Sequence, residues 1–143
     1  MKLSAKVEYG VRAMAVLAYY YQTGPLPLRE IAKQEDISLK FLEQIVPDLK
    51  RADLILSIRG SKGGYSLSRS PEEIRVGDIV RAVEGPITPF NCLSEVKEDS
   101  CCHRREACLT RQVWAKLRDK INDVLDEVTL NELVELSPVE TLN

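Results

Sequence analysis

Residues 28–51 read LREIAKQEDISLKFLEQIVPDLKR, and the way this stretch divides decides the architecture. A first short helix runs from about Leu28 to Glu35, and a tight turn follows at Asp36-Ile37. Ser38 then stands where an N-cap belongs, and Leu39, Leu42, Ile45, Val46 and Leu49 recur with helical period to about Arg51. Pro47 removes one backbone donor and crowds the preceding turn, which predicts a kink or an early end there and leaves the first turns intact.

Upstream, Val7, Val11, Met14, Ala18 and Tyr21 share one helical face, giving a well-buried helix over about Ser4 to Tyr21. Thr23-Gly24-Pro25-Leu26-Pro27 stops it. Downstream the period changes to two. Leu56, Ile58, Tyr65 and Leu67 alternate with Ser57, Arg59, Ser66 and Ser68 around Gly60-Ser61-Lys62-Gly63-Gly64, the pattern of a hairpin with a glycine-rich tip. Ser70-Pro71-Glu72-Glu73 reads as a capping box opening a short helix that carries Ile74, Ile79, Val80 and Val83 and ends by Gly85-Pro86.

Two short helices, a tight turn and a hairpin are the parts of a winged helix-turn-helix, whose second helix enters the DNA major groove. The exposed turns of that helix offer Ser38, Lys40, Glu43 and Gln44, types able to read base edges: Glu accepts from cytosine, Gln pairs with adenine and Lys donates to guanine. At the wing tip Arg59, Ser61 and Lys62 lie beside three glycines that let the backbone approach a duplex, with Arg59 placed for the minor groove. The tip lacks the Gly-Lys-Ser/Thr ending of a nucleotide loop. The same parts also occur as a plain core with a solvated charged rim.

Charge distribution agrees with a basic DNA-facing half. The 143-residue chain has a net charge of −2, yet residues 1–81 hold 13 Lys and Arg against 10 Asp and Glu, whereas residues 82–143 hold 7 against 12. A composition of 44% apolar and 29% charged residues excludes low-complexity and wholly disordered chains. The longest apolar run, Ala13 to Tyr21, is far too short to span a membrane, and Glu8 and Arg12 interrupt any signal-peptide core, so a cytoplasmic protein is expected. No constellation of residues points to catalysis, so the expectation is a protein that is not an enzyme.

Residues 86–107 carry no sustained periodicity and hold three of the four cysteines, the fourth following at Cys108; this is the expected functional insert. Cys92, Cys101, Cys102 and Cys108 are spaced C-x8-C-C-x5-C. In a cytosolic chain such clustering points to metal or redox chemistry, and the spacing matches no standard zinc motif. Three thiolates on one loop suit an iron-sulfur cluster, with Lys97, Arg104 and Arg105 offsetting its negative charge; zinc or a metal-free thiol switch are the other readings. One of the adjacent pair Cys101 and Cys102 is then spare. Beyond the insert, a helix over about Leu109 to Val128 sets Trp114, Leu117, Ile121, Val124 and Val128 on an a/d seam that asks for a partner helix. Thr129-Leu130-Asn131-Glu132 caps a final short helix through Leu136, and the residues after Pro138 are expected to fray.

Tyr9-Gly10-Val11-Arg12-Ala13-Met14, the run Ile37 to Gln44, Ser57-Ile58-Arg59-Gly60, Gly63-Gly64-Tyr65, Gly77-Asp78-Ile79 and Glu84-Gly85-Pro86 together resemble the IscR/NsrR/CymR family of dimeric winged-helix regulators, rrf-two type, across essentially the whole chain. The cysteines, with Cys108-Leu109-Thr110 and Trp114, look most like its iron-sulfur cluster regulators. That resemblance implies a mainly helical fold with a hairpin wing, divided as 1–85 for DNA binding, 86–108 for the cluster loop and 109–143 for dimerisation. By position it implies Cys92, Cys102 and Cys108 as cluster ligands, with Cys101 left over. Arg111 stands where such members carry a ligating histidine, and Glu8, reaching across the dimer, is favoured as the fourth ligand over His103 or Glu106; a 2Fe-2S centre is favoured over 4Fe-4S. Glu8 reads equally well as an ordinary solvated charge. The implied function is repression of iron-sulfur cluster assembly genes by a homodimer on double-stranded operator DNA, with the iron-sulfur assembly machinery as a further partner. A nitric oxide-sensing repressor of the same fold, or a cluster-free thiol-responsive repressor acting with a partner protein, are the alternatives.

Overall fold

A computed structural model describes residues 2–93 and 107–136. Six helices and one hairpin follow in the order α1 (Ala5–Tyr19), α2 (Leu28–Glu35), α3 (Leu39–Arg51), β1 (Ile55–Ile58), β2 (Gly64–Leu67), α4 (Val76–Glu84), α5 (Arg111–Glu127) and α6 (Leu130–Leu136). Short 3-10 turns occupy Pro71–Glu73 and Asn91–Leu93. No described helix is long and apolar enough to cross a membrane.

The core forms where the apolar stripes of α1, α3 and α4 meet. Met14, Leu42, Ile45 and Ile79 are fully buried there, joined by Ile31 from α2, Ile74 before α4 and Leu130 from α6. The helix-turn-helix is as the sequence predicts: α2 ends on Asp36 in a left-handed conformation (φ 52°), Ile37 is buried, and Ser38 caps α3. Pro47 neither ends α3 nor shortens it. The helix runs four residues beyond the proline because Pro47 lies on the exposed side, where the carbonyl it leaves unpaired can meet water, while Leu49 on the opposite side is buried.

The wing is antiparallel, pairing Ile55 with Leu67, Leu56 with Ser66, Ser57 with Tyr65 and Ile58 with Gly64. Its phase differs from the sequence expectation: Ile55 and Leu67 face the core, whereas Leu56 and Ile58 are exposed. The run Leu54-Ile55-Leu56 fits either phase by hydropathy alone, and the register is set by the pairing of Ile55 with buried Leu67. Leu26, read from the sequence only as part of a helix stop, pairs with β2: its N–H donates to the Tyr65 carbonyl and its carbonyl accepts from the Tyr65 N–H, each at 2.9 Å.

The segment after the wing also departs from expectation. Ser70 caps only the 3-10 turn, its Oγ accepting from the Glu72 N–H, and α4 begins anew at Val76 with the Arg75 N–H donating to Asp78 Oδ2 at 2.9 Å. Between them Ile74 is extended, because the chain pairs there with the segment joining α5 to α6: Val76 N–H donates to the Val128 carbonyl (2.9 Å) and Leu130 N–H to the Ile74 carbonyl (3.0 Å). Thr129 caps α6, as expected, accepting from the Glu132 N–H at 3.2 Å.

In α5 the apolar residues do not form the single seam expected. Ile121 and Leu125 pack against the core, and Trp114 lies tilted on Phe90 with ring centroids 4.8 Å apart. Val113, Leu117 and Val124 are exposed on another face, within about 40° of one another on the helix. The core takes one side of the stripe and leaves the other side exposed.

Candidate nucleic-acid interface and metal centre

Helix α3 has two faces with different duties. Leu42, Ile45, Val46 and Leu49 are buried and fix its position; Ser38, Lys40, Glu43 and Gln44 are all exposed around its first two turns. Ser38 has a structural duty as well, since its Oγ accepts from the Phe41 N–H at 3.4 Å. Its own hydroxyl proton stays available to a phosphate or base. Beside this start of α3 runs a groove lined by Tyr9, Asp36, Ile37, Ser38, Lys40, Phe41 and Gln44.

What holds α3 at its angle is a set of α1 side chains. Arg12 Nε donates to Glu35 Oε2 at 2.8 Å, and Arg12 Nη2 donates to the Glu35 carbonyl at the end of α2. The same guanidinium lies 5.5 Å from the Tyr9 ring centroid, and Tyr9 meets Phe41 of α3 edge-on at 5.3 Å. Lys6 pairs with Asp48 of α3 at 3.1 Å. Periodicity alone marked Tyr9 and Arg12 only as members of α1. A cation at position 12 facing an acidic α2 end is legible only once α1 and α2 are known to be adjacent.

At the wing, Arg59, Ser61 and Lys62 are all exposed in the loop joining β1 to β2. That loop is kept tight by the Gly63 N–H donating to the Gly60 carbonyl at 3.0 Å.

Of the proposed cluster ligands, Cys92 and Cys108 lie among the described residues; Cys101, Cys102, His103 and Glu106 lie outside them. Cys92 is half-buried in the 3-10 turn Asn91–Leu93, which packs on α5 with Leu93 buried and Arg118 Nη1 donating to the Leu93 carbonyl at 3.4 Å. Cys108 is half-buried just ahead of α5, its Sγ 3.3 Å from Thr110 Oγ1. Thus both ends of the cysteine segment are moored to α5. Arg111 opens that helix, and its Nε is buried without a hydrogen-bond partner. Glu8 is exposed on α1, its nearest cation being Arg12 at 3.7 Å.

Tested against an iron-sulfur group, the donor chemistry fits in part. Cys92 and Cys108 supply half-buried soft ligands, and Arg111, whose backbone N–H donates to the Cys108 carbonyl at 3.4 Å, supplies a cation near Cys108. Among the described residues no three His, Cys, Asp or Glu side chains come together as a metal site, so Glu8 is not joined to Cys92 and Cys108 within one chain.

Residues 3–136 match the protein family Rrf2, described as an iron-dependent transcriptional regulator. Among named relatives, the chain is 41% identical over 140 residues to the HTH-type transcriptional regulator CymR of Bacillus subtilis, covering 98% of this chain and 94% of that one. It is 39% identical over 134 residues to the HTH-type transcriptional regulator IscR of Pectobacterium carotovorum, covering 94% and 79%. Among solved structures it resembles CymR, the global cysteine regulator of B. subtilis, with a TM-score of 0.77 and 40% identity, covering 96% of this chain and 99% of that one.

Proposed function

The chain belongs to the Rrf2 family of transcriptional regulators, and on that premise we propose that it is a homodimeric repressor whose DNA affinity is set by an iron-sulfur cluster. The observation that carries the DNA-binding part is the division of α3, sealed into the core on one face and open on the other, with Ser38, Lys40, Glu43 and Gln44 all on the open side. In this reading those residues meet base edges in the major groove and Arg59, Ser61 and Lys62 meet the backbone or minor groove beside it. Double-stranded operator DNA with two-fold related half-sites is the ligand.

Cys92, Cys102 and Cys108 would hold the cluster, with Glu8 of a second chain completing the set and Arg111 offsetting charge. When bound, such a cluster supplies an iron centre whose loss or oxidation changes the charge at the foot of α5. The genes of iron-sulfur assembly are then the regulated set, and the assembly machinery the source of the cluster. A second reading, a thiol-responsive repressor without a cluster, is favoured by the likeness to a regulator of cysteine.

Anaerobic purification with an absorption spectrum and iron, sulfide and zinc analysis separates the two. The cluster reading expects visible bands and about two or four irons per chain. It also expects Cys92→Ala, Cys102→Ala and Cys108→Ala to be colourless, and Cys101→Ala to keep its colour. Protein that stays colourless after reconstitution leaves the thiol-responsive reading.

A further inference from the structure

Leu39, the first residue of α3, is out of place on a polar reading face. It is 41% exposed, and it is neither in the core cluster nor among the partly buried side chains packed against it. The hydrophobic closure that helix starts commonly need is made without it. Ile37 and Leu42, both buried, stand just before the cap and four residues into the helix, the positions of a hydrophobic staple, and Ser38 supplies the polar half of the cap. Folding therefore gives no reason for a leucine at position 39.

Position 39 lies one helical turn from Glu43, about 40° around the axis, and next to Lys40. An apolar side chain among groups that read base edges gains from docking only if it meets an apolar group. The major groove offers one of any size, the C5-methyl of thymine; apart from the small C5–H of cytosine, the groups on the base edges there are donors or acceptors, whose desolvation against leucine is unfavourable. Resting on the proposed docking of α3 in the major groove, we infer that Leu39 is a specificity-determining residue that recognises the methyl group of a thymine beside the base read by Glu43.

The test uses the full-length chain and a duplex selected by it from a random-sequence pool. Each thymine is then replaced singly by deoxyuridine, which deletes only the methyl group. At one thymine per half-site the replacement should lower wild-type affinity about four-fold, the worth of one buried methyl. Leu39→Ala should bind the parent duplex more weakly by at least that factor, should no longer distinguish thymine from uracil at that position, and should melt at the wild-type temperature. The inference falls if no thymine is distinguished from uracil, if Leu39→Ala still distinguishes it, or if Leu39→Ala lowers the melting temperature and so has a folding role. Lys40→Ala and Gln44→Ala keep the two levels apart. If both weaken binding while the thymine pattern is absent, the Leu39 assignment alone fails; if neither has any effect, the docking of α3 fails with it.

Discussion

Arg12 grips the last residue of α2 twice, its Nε on the Glu35 carboxylate at 2.8 Å and its Nη2 on the Glu35 carbonyl. The carbonyl belongs to the turn of helix that leads directly into the left-handed Asp36, so one side chain of α1 sets where α2 stops and where α3 starts. With Glu35 four-fifths shielded from water, removal of the guanidinium leaves a poorly solvated carboxylate. Arg12→Ala is expected to lower stability by about 1–2 kcal/mol, read as a lower urea midpoint at unchanged slope. Arg12→Lys should recover less than half of that, because a single ammonium cannot hold both oxygens in the fork geometry. Both variants should weaken duplex binding, since the angle of α3 depends on this grip.

Two glycines should respond differently to a single added methyl group. At Gly64 (φ +150°) a Cβ would strike the backbone of Leu26 and lie 2.6 Å from the Pro27 nitrogen, and backbone paired to β2 cannot give way. Gly64→Ala should cost about 3 kcal/mol or more and detach the wing. At Gly77 the Cβ would meet the Asp126 carboxylate and lie 2.8 Å from Arg81 Nη2, both ends of side chains that can swing aside. Gly77→Ala should cost only about 1–2 kcal/mol. In an Asp126→Ala background the added cost should shrink, measured as a double-mutant cycle in urea.

Arg59 and Lys62 share the wing tip but should fail differently. Arg59→Ala is expected to weaken binding to a selected duplex by about 1–3 kcal/mol and to relax sequence preference at one position. Lys62→Ala should weaken all duplexes alike and reduce the slope of log affinity against log salt by about one. Titrations at several salt concentrations check both, and an unchanged affinity for Arg59→Ala removes the wing from recognition.

The exposed stripe of α5 should be the dimer surface. Leu117→Lys and Val124→Lys place charges on positions already open to water in one chain, so the fold should survive, with an unaltered far-ultraviolet spectrum. Sedimentation should show a dimer becoming a monomer, and affinity for a two-half-site duplex should fall toward that for one half-site.

Much of this was legible in local pattern. The two helices of the reading motif, the Ser38 cap, the turn at Asp36-Ile37 and the Thr129 cap all follow from spacings within a few residues, and the structure keeps them. The exposure of Ser38, Lys40, Glu43 and Gln44 follows as well, because the same period that buries Leu42, Ile45 and Leu49 turns them outward. What failed depended on distant partners. Ile74 is extended because Val128 and Leu130 pair with its neighbourhood, more than fifty residues away, and no pattern around Ser70 contains that fact. The outward turn of Leu56 and Ile58 depends on Leu67, and the splitting of the α5 stripe depends on where the core lies. The Cys101, Cys102, His103 and Glu106 expectations lie outside the described residues, and among the described residues Glu8 does not join Cys92 and Cys108 as a metal site.

The two ends of α5 are held in different ways. At the C-terminal end Arg81 bonds both Asn122 (2.9 Å) and Asp126, and the backbone on either side of Thr129 is stitched to Ile74 and Val76, so this end moves with the DNA-binding core. Just ahead of the N-terminal end stands Cys108, and Arg118, midway along, holds the Leu93 carbonyl. Seventeen residues make a rod about 25 Å long, in effect a tiller with its pivot in the core and its handle at the cysteines. A displacement of about 2 Å at the handle is a tilt of only about 5° at the pivot. In the proposed dimer, with two such rods packed side by side, that tilt would change the separation of the two α3 helices, so chemistry at Cys108 would act on DNA as a ruler rather than as a latch.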